Sequence, residues 1–269
     1  MSALTLTLRE TLPGRLDLSP LLPALLSQAL ADLPKLVLRI DTQDVCLGDL
    51  FTLAGDDAQD LVLVGDLSRV DRIGAGLAGG TLRVDGHAGA YLGQGMTGGS
   101  LTVTGDVAAF AAAALRRGTI TIGGNAGDYL GGALPGAMQG MAGGQVVVYG
   151  NAGARCGDRM RRGAILVAGS LGAYAGSRML AGTVLALQGA GAHAGYGMRR
   201  GSLMVRGAVA VDATFADCGT HALPIVRLLF RSWRVLGGEF AGLADQVRPV
   251  RRLVGDRAAD GKGEILRFS

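Results

Sequence analysis

Aromatic side chains are scarce in this sequence: one Trp, five Tyr and six Phe make up 4% of 269 residues. Any core must therefore be built from Val, Leu, Ile and Ala in thin layers rather than around large rings. Proline, at seven residues, is too sparse for a collagen-like chain. The cysteines, Cys46, Cys156 and Cys218, are far apart and odd in number, so neither a disulfide framework nor a Cys-x-x-Cys cluster site can be assembled. That points to a reducing compartment and against an iron–sulfur or structural zinc protein. No stretch approaches the ~20 apolar residues of a membrane span; the longest, Val107 to Leu115, is mostly alanine. The start, Met1 to Leu6, lacks the basic residues and the apolar run of a signal peptide. A cytoplasmic protein without membrane contact is expected.

Catalytic constellations are lacking too. There is no Gly-x-Ser-x-Gly elbow, no phosphate-binding loop ending in Gly-Lys-Ser/Thr and no paired-carboxylate motif. His87, His193 and His221 share no metal-ligand spacing with cysteine or carboxylate. No catalytic residue, metal site or cofactor is expected of this chain. Lysine is nearly absent: of 26 basic residues only Lys35 and Lys262 are not arginine, a bias that fits a GC-rich genome and also favours planar, bidentate recognition of carboxylates or phosphates. Residues 1–61 carry 4 basic and 9 acidic side chains, residues 62–220 carry 13 and 8, and residues 221–269 carry 9 and 5, so an acidic cap precedes a basic body. The net charge of +4 is small for nucleic-acid binding, and no nucleic-acid motif accompanies it.

What the sequence does have is glycine: 46 residues, 37 of them between 62 and 220, recurring with a fixed period. Blocks run 62–80, 81–99, 100–118, 119–144, 145–163, 164–182, 183–201 and 202–220; seven are 19 residues long and the fourth has seven extra, around residues 132–139. A period of this kind means stacked repeats. Each block opens with alternating apolar residues, such as Leu101 and Val103 or Ile120 and Ile122, the period of a strand with one buried face. Glycines follow where the chain turns; Gly153 and Gly172 are read as positive-φ corners. The expected fold is all-β, a right-handed parallel β-helix of about eight coils over 62–220. Residues 1–61 form an N-terminal α/β cap, with a helical run over Leu21–Leu33; residues 221–269 form a helix after Pro224, plugging the far end, and a basic tail.

Stacked repeats align equal positions in columns. The seventh position reads Asp106, Asn125, Asn151, Ser170, a polar ladder of structural character. The eleventh reads Tyr91, Phe110, Tyr129, Arg155, Tyr174, His193 and should point outward; Tyr91, Phe110, Tyr129 and Tyr174 are candidates for a partner interface, or rings that only stack on one another. Arginine pairs close alternate repeats: Arg116 and Arg117, Arg161 and Arg162, Arg199 and Arg200, with Arg159 and Arg178 nearby. They form either a track for an anionic chain or a solvated edge.

The glycine frame resembles the repeat of the glutamate synthase C-terminal domain, an architectural β-helix. More specific stretches, GDLSRVDRIG at 65–74, YGNAGARCGDRMRRG at 149–163, GYGMRRGS at 195–202 and the exit through Ala213, Thr214 and Phe215, resemble the C subunit of formylmethanofuran dehydrogenase. One branch of that family belongs to archaeal tungsten or molybdenum dehydrogenases. In the other, of methylotrophic bacteria, the counterpart belongs to a formyltransferase/hydrolase complex that passes a formyl group from tetrahydromethanopterin to a methanofuran-type carrier and releases formate. The arginine-rich, lysine-poor composition favours the bacterial branch. The resemblance implies a non-catalytic structural subunit. The partners it implies are a hydrolase subunit holding the metal, a formyltransferase and a further homologous subunit; the carrier it implies bears a glutamate-rich tail, and Arg116, Arg117, Arg161, Arg162, Arg199 and Arg200 are the expected binding track for that tail if they are not merely a solvated edge.

Overall fold

Alternation along the chain decides which face of each strand is buried. In Ser100–Val103, Leu101 and Val103 are fully buried between the half-exposed Ser100 and Thr102. The computed structural model describes residues 2–246 and 249–269, in which thirteen strands form one sheet and four short ones a second. The middle of the large sheet is a parallel run, one strand per repeat: Asp57–Val64, Thr81–Asp85, Ser100–Val103, Thr119–Ile122, Ala142–Val148, Arg162–Val167, Thr183–Ala186 and Ser202–Arg206. Leu82 faces Leu101, and Ile120, Val146, Ile165, Val184 and Leu203 continue the row. Leu61 faces Leu82, an offset of 21 against 19 for Leu82 to Leu101, so the opening repeat is longer than the frame of 62–80 allows.

This topology corrects the expected all-β right-handed parallel β-helix. The large sheet is mixed: Phe51–Ala54 runs antiparallel to Ala3–Leu8 at one end, and at the other Val250–Gly255 runs antiparallel to both its neighbours, Ala216–His221 and Gly263–Phe268. Helices accompany it at Leu21–Ser27, Leu47–Leu50, Pro224–Trp233 and Gly238–Ala241. The reason lies in the remainder of each repeat. There the chain turns, and it meets the next repeat through isolated bridges, from Leu67 and Ala88 through Val107, Ala126, Ala152, Leu171 and Ala190 to Val209, rather than through further continuous strands. Residues in the left-handed region keep these segments from extending; Tyr91, Phe110, Tyr129 and Tyr174 have φ of 61°, 62°, 59° and 61°.

The main core lies between the sheet and these turns. Leu101, Ile120, Val146, Ile165, Val184 and Leu203 project from strands; Leu115 and the unbranched thioethers of Met96, Met141, Met160, Met179 and Met198 come from the turns and fill a narrow gap. Gly153 and Gly172 are not positive-φ corners. They are glycine because successive repeats approach too closely for a side chain: a Cβ on Gly153 would sit 2.3 Å from Asp128 Oδ1, and one on Gly172 2.6 Å from Ala154 N.

The flanks also differ from expectation. Helix Pro224–Trp233 does not plug the end of the stack. Val226, Phe230 and Trp233 lie against the other face of the sheet, over Val147, Leu166, Leu185, Met204 and Leu266, in a second core. Gly263–Phe268 covers the last repeat by pairing in parallel with Ser202–Arg206. At the other end Ala3–Leu8 pairs in parallel with Asp57–Val64. The helical run expected over Leu21–Leu33 breaks into helix Leu21–Ser27 and a tighter turn, Leu30–Lys35, that contains Pro34. Among the described residues no helix is long and apolar enough to cross a membrane.

Candidate functional site

The eleventh-position residues share one backbone conformation, which is why their side chains align. Arg72, Arg155 and His193, at φ of 57°, 58° and 58°, join the four rings in the left-handed region. Each such residue costs about 1–2 kcal/mol relative to ordinary backbone, and stacking offsets part of that cost. Tyr91 and Phe110 stack at 5.2 Å, Phe110 and Tyr129 at 4.7 Å, and Tyr174 and His193 at 4.8 Å between ring centroids. Guanidinium groups complete the column: Arg72 lies 5.2 Å from the Tyr91 ring, and Arg155 lies 5.8 Å from Tyr129 and 4.7 Å from Tyr174. His193 closes it with Nδ1 3.0 Å from Asp212 Oδ1. The structure thus brings Tyr91, Phe110, Tyr129 and Tyr174 into one half-exposed column.

At the seventh position, Asp106 Oδ1 accepts from the Asn125 backbone N–H at 2.6 Å, Asn125 Oδ1 from that of Asn151 at 2.9 Å, and Asn151 Oδ1 from that of Ser170 at 2.9 Å. The donated N–H of Asn125 holds the Asp106 carboxyl below the usual carboxylate range. His87 begins this ladder, its Nδ1 accepting from the Asp106 backbone N–H at 3.0 Å. Its place at the seventh position of its own block was the available signal.

Cationic side chains line a run of adjoining clefts. The first, about 410 Å³, is lined by Phe110, Tyr129, the insert Ala133–Met138, Asp158, Arg159 and Arg178. It meets a second, about 440 Å³, at Met138, Arg159 and Arg178, and there Arg199 joins the wall. Arg199 also lines a third, about 570 Å³, with Arg161, Arg162 and Arg200. Arg199 and Arg200 reach a fourth that includes Asp260 and Lys262. Four of the six paired arginines are therefore brought together around Arg199. Arg116 and Arg117 are exposed and line none of these clefts. Among the described residues none of the six forms an ion pair.

The sequence set Arg159 and Arg178 near the pairs but did not show that they line a cleft. Both occupy left-handed turn positions, at φ of 53° and 52°, where earlier repeats carry Gly76, Gly95 and Ala114. Arg178 is held by Asp158, a carboxylate only 2% exposed, which accepts from Arg178 Nε at 3.0 Å and Nη2 at 2.8 Å and from Ser177 Oγ at 2.6 Å. The insert folds back rather than leaving the body: Ala133 N donates to Asp158 O at 3.1 Å, Gly140 N to Arg159 O at 3.0 Å, and Arg159 Nη1 to Ala137 O at 3.2 Å.

Cys156 is fully buried, and burial pushes its thiol up to about 12. Among the described residues no three His, Cys, Asp or Glu side chains gather as metal ligands.

No family model matches the chain. Over 89 residues it is 45% identical to the C subunit of the formyltransferase/hydrolase complex Fhc of Methylorubrum extorquens; that stretch is 33% of this chain and spans only 34% of the relative's length. The fold is similar throughout to a chain in the crystal structure of the formyltransferase/hydrolase complex FhcABCD from Methylorubrum extorquens in complex with methylofuran. The TM-score is 0.92 at 44% identity, covering 98% of this chain and 99% of that one.

Proposed function

This chain belongs to the C subunit family of formyltransferase/hydrolase complexes, and we propose that it serves as a structural, non-catalytic component of such an enzyme complex. The observation that carries this reading is the match in fold and sequence over almost the whole length of both chains. In the reaction the resemblance implies, a formyl group passes from tetrahydromethanopterin to a methanofuran-type carrier and leaves as formate. The chemistry then lies on the hydrolase and formyltransferase partners. This chain supplies a rigid stack that fixes the distance between them.

Two surfaces take roles in this reading. The column of Tyr91, Phe110, Tyr129 and Tyr174 contributes to contact between subunits, because half-exposed rings held in one plane series lose little entropy on docking. The unpaired arginines Arg161, Arg162, Arg199 and Arg200, with Arg116 and Arg117 further along the stack, attract a carboxylate-bearing carrier tail. Exposed pairs contribute only about 0.2–1 kcal/mol each, so the tail is attracted without being gripped.

The test of the second role is flux from formyl-tetrahydromethanopterin to formate at rising salt, comparing the assembled wild type with a variant lacking all six arginines. A raised Michaelis constant for the carrier and a flattened salt response are expected. Unchanged values for both make the arginines a solvated edge. For the first role, replacing the four rings with serine should impair assembly; normal assembly removes the column from the interface.

A further inference from the structure

We propose that the cleft between Phe110, Tyr129 and the insert loop is a binding site for a monocarboxylate carried on a flat ring. Its volume, about 410 Å³, suits a small ligand. Two guanidinium groups line it, and both are fixed before any ligand arrives. Arg178 is oriented by the buried Asp158, whose two oxygens accept from Nε and Nη2 and leave Nη1 outside that pairing. Arg159 is tethered to the insert through Ala137 O at 3.2 Å and Met138 Sδ at 3.1 Å. Holding these long side chains in place removes much of the ordering cost that weakens exposed cationic sites, and a planar fork matches a carboxylate in two directions.

Charge and shape narrow the ligand class. Arg159 and Arg178 together with Asp158 leave a formal charge of +1 among the lining residues, which matches a monoanion. A phosphate dianion would meet the Asp158 carboxylate as well. Phe110 is the one ring of its column with neither hydroxyl nor ring nitrogen, and, stacked between Tyr91 at 5.2 Å and Tyr129 at 4.7 Å, it offers the cleft its ring edge. The cleft therefore joins an aromatic edge to fixed cations, whereas the cleft of Arg161, Arg162, Arg199 and Arg200 has no ring in its lining. The site is argued from the lining residues of this chain alone.

The test is titration of the full-length chain with benzoate, acetate, benzyl alcohol and inorganic phosphate, following the arginine Nε–Hε resonances and the Phe110 ring protons. Benzoate should give saturable shifts at Arg159, Arg178 and Phe110, with affinity about fivefold above acetate, the range expected for one aromatic contact. Arg159→Gln should lower benzoate affinity about tenfold, as loss of one charged hydrogen-bond partner does. Phe110→Leu leaves the arginines in place; it should weaken benzoate and leave acetate unchanged, so the idea remains testable if Arg159→Gln does not fold. Four results would overturn the proposal: no saturation, equal shifts at Arg161 and Arg199, phosphate binding at least as tight as benzoate, or benzoate affinity unaltered by Phe110→Leu.

Discussion

The guanidinium of Arg155 lies 4.7 Å from the Tyr174 ring and 5.8 Å from the Tyr129 ring, so a cation fills the place that a ring takes in the neighbouring repeats. It joins two stacks of rings into one column. Each contact is worth about 0.5–1 kcal/mol at an exposed site. Arg155→Ala should therefore lower stability by about 1–2 kcal/mol, read as a lower urea midpoint at unchanged slope. Arg155→Tyr should stay near wild type, because Tyr91, Tyr129 and Tyr174 already adopt this backbone conformation. A midpoint unchanged by Arg155→Ala means the column adds nothing to folding.

Two kinds of glycine should respond differently to alanine. At Gly153 a Cβ meets Asp128 Oδ1 at 2.3 Å and Asp128 N at 2.8 Å, so Gly153→Ala must push repeats apart, at about 1–3 kcal/mol. At Gly95, φ is +66° and nothing lies within 4 Å, so Gly95→Ala should cost only the backbone penalty, about 1 kcal/mol. Thermal melting of the two variants checks the order, and Gly153→Val should be worse than either.

The period of the glycines and the alternation of apolar residues were enough to place the strands of the repeats from Thr81 onward, though not that of the longer opening repeat, because register follows from which side chains must be buried. Fold class was not legible from them. A repeat with glycine corners says where the chain turns, but not whether the turning segment also pairs as a strand, and the left-handed Tyr91, Phe110 and Tyr129 look like ordinary strand formers in sequence. Likewise Ile225, Leu228 and Leu229 have helical spacing whether the helix covers an end or a face. Val226, Phe230 and Trp233 decide that by meeting Leu166 and Leu185 from distant repeats. The first cleft was hidden for the same reason: Asp158, Arg159 and Arg178 belong to two repeats, and the insert brings the third side. The polar ladder was visible because each of its contacts joins equal positions of adjacent repeats.

Acid should act on that ladder through Asp106. Its carboxyl is held below its ordinary range by the Asn125 N–H. The stability this provides is present above the unfolded-state value of about 3.9 and is lost as pH falls through the lower folded-state value. Melting temperature between pH 5 and pH 2 should therefore fall less in Asp106→Asn, whose amide oxygen accepts the same bond without titrating. Identical acid profiles contradict this role.

The cysteines should separate cleanly toward alkylating reagents. Cys218 is exposed, whereas Cys156 is buried with its thiol near 12. At pH 8 iodoacetamide should modify Cys218 within minutes and Cys156 only after unfolding, as followed by peptide mass spectrometry. Prompt modification of Cys156 in the folded chain means that the core opens locally.

The most direct measurement is purification of the tagged chain from its source cell at native abundance, with mass spectrometry of what accompanies it and assay of both fractions. Hydrolase and formyltransferase subunits should copurify, and formyl transfer and formate release should be found in the assembled fraction and not in the isolated chain. A chain that purifies alone, or one that turns over formyl substrate without partners, contradicts the account.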